Sequence, residues 1–429
     1  MNRKLISYGF AIGLPQIISF VTLLILSSYL GNELYAKIAI FETVIFFLQA
    51  TIGLAVGRSA SRFFIDGDGD YIISLASSVV IFSSLLLFLI SSFLLTYLNL
   101  LSIIGVSYTQ YIMLYISSLG YILTAISLVK YQFENEATKY LLLSVLKTSL
   151  LLGGIYVSVL ILGMGINSFP VSHLFAGLSL VIVSILINRP RLVGSSDLKV
   201  VKNMLLYSLP FVPTLIAAWI MSWSNRFFMV NEVPLSEIGI YSIIQRFCMV
   251  YFVVTQASAV FFTPVMYRKL HQNLYSEVSN ISIILISAYF IASVVLFLAL
   301  TYFLVWYYNY DYKLTFSFVA MLMVVNLLSS ITAVSTNILF NYYKKTLIQM
   351  YIYLCVAALS LLLNYYLIPE FKMYGVFFAL VFPLVILNFV HALYFYLTKE
   401  FIRIATIVFL ITLLLTFTSA GIFIYGNIP

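Results

Sequence analysis

Apolar residues run through this sequence in long stretches broken only by short polar segments, from 5–30 near the start to 402–425 near the end. A membrane-crossing helix needs about 20 apolar residues, because the hydrocarbon core is about 30 Å thick and a helix rises about 1.5 Å per residue. Thirteen such segments are predicted: 5–30, 36–57, 71–97, 105–129, 140–162, 168–187, 204–230, 236–264, 280–306, 314–341, 346–369, 373–397 and 402–425. Hydrophobic residues make up 63% of the 429 and charged residues 8%. A soluble domain is about 45–50% apolar and about 25% charged, so a soluble globular protein is excluded. A membrane β-barrel needs short segments of alternating polarity, which these unbroken runs are not. The fold class that remains is all-α, a polytopic membrane protein.

The basic residues set its sidedness. With the N-terminus cytoplasmic, the inner segments hold Arg3, Lys4, Arg58, Arg62, Lys130, Lys139, Arg189, Arg191, Lys199, Lys202, Arg268, Lys269, Lys344, Lys345, Lys399 and Arg403. The outer segments hold only Lys37, Lys313 and Lys372. Cytoplasmic loops attract such an excess, so an N-inside, multi-pass topology is expected, with an odd number of spans putting Pro429 outside. The first apolar stretch is too long for a signal peptide and lacks an Ala-x-Ala-like cleavage site, so it reads as an uncleaved span. Cys248 and Cys355 both fall in apolar runs and suggest neither a disulfide framework nor a metal site.

The longest polar interruption, 188–203, follows the sixth span and carries Pro, Gly and charge, the marks of a linker. It divides the chain into an N-terminal lobe of six helices (1–187), the linker itself, a second lobe of six (204–397) and one extra C-terminal segment (398–429). The halves are weakly alike. Leu30-Gly31-Asn32-Glu33-Leu34-Tyr35 opens span 2 and Leu235-Ser236-Glu237-Ile238-Gly239-Ile240-Tyr241 opens span 8; aligning Glu33 with Glu237 puts Glu42 on Arg246. Two parallel six-helix repeats of this kind typically bind substrate at their interface and move against each other.

Several chemistries are absent. There is no phosphate-binding Gly-x-x-x-x-Gly-Lys-Ser/Thr loop, and His173, His271 and His391 lack metal-ligand spacing. Asp66-Gly67-Asp68-Gly69-Asp70 superficially resembles a calcium loop, but Tyr71 and Ser77 stand where that loop needs Gly and Glu; it reads as a solvated turn. The outer loops hold only a few residues, so no folded external domain exists to build an enzyme site. The run Trp306-Tyr307-Tyr308-Asn309-Tyr310-Asp311-Tyr312 reads as an aromatic belt at the outer interface. The amides Gln16, Gln49, Gln245, Gln256, Asn326, Asn337 and Asn388 suit either a hydrated lumen or helix-to-helix bonding.

Charges inside spans carry more information. An ionisable group near the bilayer centre costs at least about 2.5–3.5 kcal/mol on insertion scales, so it faces a cavity or a partner. Arg246 lies about 15 Å into span 8 and Glu42 about 9 Å into span 2. Arg226 stands near the outer end of span 7 and Lys147 about two turns into span 5, both within reach of snorkelling. Arg58 and Arg62 end span 2 four residues apart on one helix face, placed to meet an anionic headgroup at the inner mouth or serving simple positive-inside usage.

The motifs Gly13-Leu14-Pro15-Gln16, Tyr29-Leu30-Gly31, Phe41-Glu42, Gly53-Leu54 and Arg58 with Arg62-Phe63 resemble the start of bacterial O-antigen and polysaccharide repeat-unit flippases of the Wzx type. Pro210-Phe211-Val212-Pro213, Asn225-Arg226-Phe227 and Glu237-Ile238-Gly239-Ile240-Tyr241 extend the resemblance into the second half. It implies the fold of the multidrug/oligosaccharidyl-lipid/polysaccharide exporter superfamily, two six-helix lobes around a central cavity. It also implies transport of an undecaprenyl-diphosphate-linked oligosaccharide across the bacterial inner membrane. Relatives often carry Asp-Arg where this chain has Asn225-Arg226, so no acid–base pair is available there.

On that basis the expected function is a flippase working by alternating access. Arg246, Arg226 and Lys147 would bind the substrate diphosphate, Glu42 would gate or couple, and Arg58 and Arg62 would hold the headgroup at the inner mouth. The lipid-linked oligosaccharide and the bilayer are the expected partners, with other polysaccharide assembly proteins open and no nucleic acid. No cofactor or metal is expected, and whether a proton or sodium ion is coupled stays open. A cation-coupled drug exporter of the same fold is the second reading, disfavoured because Glu42 is the one clear intramembrane acid. A membrane-embedded polymerase or glycosyltransferase is the third, disfavoured by the short outer loops.

Overall fold

A computed structural model describes residues 13–14, 31, 33–64, 68–98, 101, 104–134, 136–308, 311–343, 345–397, 399 and 401–427. Apart from Gly13 and Leu14, the predicted first span lies outside the described residues with its Pro15 and Gln16, as do Arg3, Lys4, Lys344 and most of the turn before Asp68. All regular structure among the described residues is helical. Eleven of these helical segments are long and apolar enough to cross a membrane. They coincide with the predicted spans from the second onward, with two joined in one segment, Leu347–Leu397. At 51 residues this segment would reach about 76 Å if straight. It is broken at Lys372, whose backbone is left-handed with φ +49°, so it supplies two spans. The turn is tight: a Cβ on Gly375 would stand 2.1 Å from the Leu367 carbonyl oxygen.

The helices are built inside out relative to those of a soluble protein. On Gly69–Tyr97 the buried positions are Ile72, Ile73, Ser74, Leu75, Ala76, Ser77, Val80, Ser83 and Ser84. The outward stripe is Phe82, Leu85, Leu89 and Phe93, spaced three and four residues apart and 62–74% exposed. Large apolar side chains face lipid, while small and hydroxyl residues let backbones approach. Buried serines return their hydroxyls to the carbonyl three or four residues back, as Ser84 does to Ile81 at 2.7 Å. Trp306, Tyr307 and Tyr312 are exposed, as an aromatic belt requires.

The chain divides into two compact units, Met1–Trp219 and Ile220–Pro429. In the first, a core of Val56, Ala60, Ile72, Ile73, Ala76, Val80, Leu123, Ile126 and Met204 ties the short Val56–Phe64 helix to its neighbours. Its closest crossing joins Tyr108–Phe133 to Ser168–Asn188, where Gly120 and Gly177 let the backbones touch. In the second, Leu285, Leu328, Ile331, Phe340, Phe395 and Phe401 belong to one larger core.

Within each unit, several polar contacts join span ends assigned to the same membrane face. Asp70 meets Lys130 at 2.6 Å, Gln110 donates to Asn167 at 2.9 Å, Lys372 meets Glu232 at 3.1 Å, and Lys345 donates to the Tyr394 hydroxyl at 2.8 Å. These contacts agree with the predicted alternation of the spans.

The linker is fastened at its start. Ser74 donates to the Arg189 carbonyl at 2.7 Å and Ser78 to that of Arg191 at 2.6 Å. Asp197 accepts from the Gly194 N–H at 2.9 Å, the Tyr71 hydroxyl at 2.7 Å and the Arg191 guanidinium at 2.7 Å. The Gly194 backbone bond first, with the Tyr71 and Arg191 contacts, holds the Asp197 carboxyl below the usual carboxylate range.

Candidate functional site

Arg226 and Arg246 both belong to the second unit. Arg226 sits on the short Asn225–Met229 helix and is only 2% exposed. It donates to Gln245 Oε1 at 2.6 Å and lies over the Trp223 ring at 4.7 Å. Sequence position alone suggested snorkelling; the guanidinium instead turns into the protein. Gln245 immediately precedes Arg246, so Arg226 reaches the turn of helix that carries the second arginine. Arg246 is half-buried in the last turn of Leu235–Cys248. Asn225 donates to the Tyr241 hydroxyl at 3.1 Å, a neutral bond.

A helix break follows Arg246. The predicted continuous span 236–264 is two helices, Leu235–Cys248 and Tyr251–His271. Between them the ladder tightens to three-residue bonds, Val250 N–H to Phe247 at 3.1 Å and Phe252 N–H to Met249 at 2.9 Å. Asn326 Nδ2 donates to the Cys248 carbonyl at 3.2 Å. A carbonyl dropped from the ladder in a dry environment needs such a partner. Asn388 likewise bonds the Leu328 carbonyl at 3.1 Å. These two amides join helices.

In the first unit, Glu42 is half-buried on Glu33–Ile52, flanked by the buried Phe41 and Thr43. The Trp219 indole N–H donates to the Thr43 carbonyl at 3.0 Å. Span 2 ends earlier than expected, because Leu54 and Ala55 adopt left-handed backbone at φ +43° and +53°. Arg58 and Arg62 are therefore on a separate helix, Val56–Phe64, both exposed on one side of it, and Arg58 lies over the Phe211 ring at 4.6 Å.

Lys147 stands ten residues into the Ala137–Tyr156 helix, half-buried, with its ammonium over the Tyr121 ring at 4.9 Å. The Tyr121 hydroxyl meets His173 Nδ1 at 2.8 Å. Sequence reasoning passed over Tyr121 and His173. The available signal was a histidine one helical turn before Gly177 and a tyrosine next to Gly120, both in apolar runs. His391 is fully buried against the Phe340 ring and His271 is exposed; no group of acids, cysteines and histidines fit to hold a metal occurs among the described residues.

Comparison with known proteins places this architecture. An outward-facing multidrug resistance MATE family transporter of the MOP superfamily is 15% identical, with a TM-score of 0.61 over 98% of this chain and 96% of its own. An inward-facing conformation of such a transporter gives 14%, 0.60, 96% and 95%. A chain designated protein A gives 17%, 0.66, 96% and 97%. No curated protein sequence matches the chain. At these identities the likeness establishes the fold, that of MOP-superfamily membrane transporters. Residues 1–270 match the family described as polysaccharide biosynthesis protein. The chain therefore belongs to the polysaccharide biosynthesis protein family, on a transporter fold.

Proposed function

We propose that this protein is a flippase that moves a lipid-linked oligosaccharide, an undecaprenyl-diphosphate carrying an O-antigen or related repeat unit, from the inner to the outer leaflet of the bacterial cytoplasmic membrane. The observation that carries the reading is the sign of the charge inside the spans. Of the charges placed well inside the predicted spans, Lys147, Arg226 and Arg246 are basic and Glu42 is acidic. A drug exporter that takes organic cations needs the opposite balance.

The obstacle in this transport is a diphosphate that loses its hydration. Each phosphate charge has a large desolvation cost in hydrocarbon unless a cation and hydrogen-bond donors replace the water. Arginine matches a phosphate with two parallel N–H bonds, and Arg246, beside a helix break, is assigned that role. Arg226, already oriented by Gln245 and Trp223, adds positive potential close by. Arg58 and Arg62 hold the headgroup at the inner mouth. Glu42 serves as a gating or coupling carboxylate. Alternating access then carries the headgroup across while the polyprenyl tail stays in lipid.

The test is Arg246→Ala in the native host. Surface polysaccharide is expected to disappear while the variant still inserts at normal abundance, and Arg246→Lys is expected to keep part of the activity. Unchanged surface polysaccharide in Arg246→Ala removes this residue from the mechanism.

A further inference from the structure

We propose that Lys147, Tyr121 and His173 form an oxyanion-binding site inside the first unit, taking a phosphate or an acidic sugar carboxylate of the transported glycolipid. It extends the transport reading, but the site is defined by binding and is testable without it.

The argument begins with depth. The span containing Lys147 runs Ala137–Ile161, so the lysine is ten residues from one end and fourteen from the other. At about 1.5 Å per residue this is about 15 Å and about 21 Å from the two ends. A lysine stem reaches only about 6 Å, so its ammonium cannot rejoin water by extending toward either interface. Such a charge is tolerated when it has a partner or a cavity. Among the described residues no carboxylate pairs with Lys147; its ammonium instead faces the Tyr121 ring at 4.9 Å. In the whole sequence the one acid deep in a span is Glu42. A cation held on an aromatic face keeps its hydrogen-bond donors directed elsewhere, because the ring takes up charge without accepting a strong bond.

The other two groups are fixed by the glycine crossing. Gly120 and Gly177 bring Tyr108–Phe133 and Ser168–Asn188 together so closely that a Cβ on Gly120 would stand 2.3 Å from the Gly177 carbonyl oxygen. Tyr121 follows Gly120, and His173 precedes Gly177 by one turn, so the same contact presses hydroxyl and imidazole to 2.8 Å. Phe169 packs on His173 at 4.1 Å between ring centres, which fixes the imidazole from its other side. Three helices thus deliver an ammonium, a phenol and an imidazole to one place, all within one unit. Tyr121 and His173 act as positioning residues: His173 orients the phenol, and the phenol orients the ammonium. The ligand this set fits is an anion with several oxygen acceptors.

The experiment uses the full-length protein in lipid nanodiscs with two probes, farnesyl diphosphate and glucuronate. Acetylation of Lys147 by a membrane-permeant reagent is followed by peptide mass spectrometry, with the 55% exposed Lys139 as internal reference. At least one probe is expected to slow acetylation of Lys147 several-fold and leave Lys139 unaffected. Binding of that probe is expected to weaken by at least about tenfold in Lys147→Gln and by about three- to tenfold in Tyr121→Phe and His173→Gln, the loss of one charge-assisted bond being about a factor of ten. Lys147→Arg is expected to retain binding. Protection by farnesyl diphosphate identifies the lipid diphosphate as the source, and protection by glucuronate an acidic sugar. The proposal is overturned if neither probe protects Lys147, if the reagent never reaches it, or if wild type and Lys147→Gln bind equally. Should Lys147→Gln fail to fold, the wild-type protection and the Tyr121→Phe affinity decide. Binding that persists in a protein whose Arg246→Ala variant still exports polysaccharide would separate this site from the transport assignment.

Discussion

Replacing Gly177 by alanine tests the crossing on which the first unit is built. The added Cβ would stand 2.3 Å from Ser117 Cα and 2.9 Å from Ser117 Cβ, against about 3.5–4.0 Å for an ordinary carbon contact. The overlap is with backbone, so no rotamer relieves it, and Ser168–Asn188 must move off Tyr108–Phe133 by about 1 Å or more. Four hydrogen bonds cross that contact: Tyr121 to His173 at 2.8 Å, Ser127 to Asn188 at 2.9 Å, Thr124 to Ser184 at 3.2 Å and Asn188 to the Leu123 carbonyl at 3.3 Å. Within a membrane each is worth about 0.6 kcal/mol, so their loss costs about 2 kcal/mol. Overpacking adds about 1–3 kcal/mol, and the better helix propensity of alanine returns about 1 kcal/mol. The net expectation is a destabilisation of about 2–4 kcal/mol. Gly153 is the control, since a Cβ there meets nothing within 4 Å and alanine is expected to be neutral or to stabilise by up to about 1 kcal/mol. Unfolding in mixed micelles titrated with sodium dodecyl sulfate, followed by circular dichroism, compares the two. If Gly177→Ala and Gly153→Ala shift the midpoint in the same direction, the close approach does not hold the unit together.

Two further expectations concern the linker and the helix break. Asp197→Asn is expected to release the 189–197 segment, read as lost hydrogen-exchange protection at the Gly194 amide. In the wild type, because the folded carboxyl is held below its unfolded range, the stabilisation is complete above about pH 4 and is lost as pH falls through the folded value; protection corrected for intrinsic exchange should therefore be flat from pH 5 to 8 and drop only in stronger acid. Asn326→Leu strands the Cys248 carbonyl and is expected to cost about 1–2 kcal/mol; Cys248, 1% exposed in the fold, should then react faster with a membrane-permeant maleimide, while the exposed Cys355 keeps its rate.

The spans were legible in the sequence because the bilayer imposes one requirement, length of apolar run, that no tertiary contact overrides. Contacts such as Asp70 with Lys130 agree with the predicted alternation of the spans. The breaks were not legible. Nothing in Gly53-Leu54-Ala55 or Met249-Val250 separates them from ordinary helix interior, since neither contains proline and each depends on the packing around it. At 249–250 the dropped carbonyl is taken up by Asn326, 78 residues away from Cys248. Among the candidates, the basic residues were singled out by the cost of burying them, a purely local argument. Their neighbours were not: Tyr121 and His173 are 52 positions apart, and only the meeting of two glycines on different helices joins them.

The two arginines and the lysine differ in a way that sequence alone does not express. Arg226 in the second unit donates to the Gln245 amide oxygen and stacks on the Trp223 indole. Lys147 in the first unit is held by a ring face. A ring face fixes the position of a cation without cancelling it, whereas a carboxylate partner would fix and cancel at once. A protein that needed these residues only for folding would gain more from such a carboxylate, because an uncompensated charge in hydrocarbon is the costlier choice. At Lys147 this neutral mode of support is what the proposed oxyanion site turns on: on that proposal the negative charge arrives with the ligand.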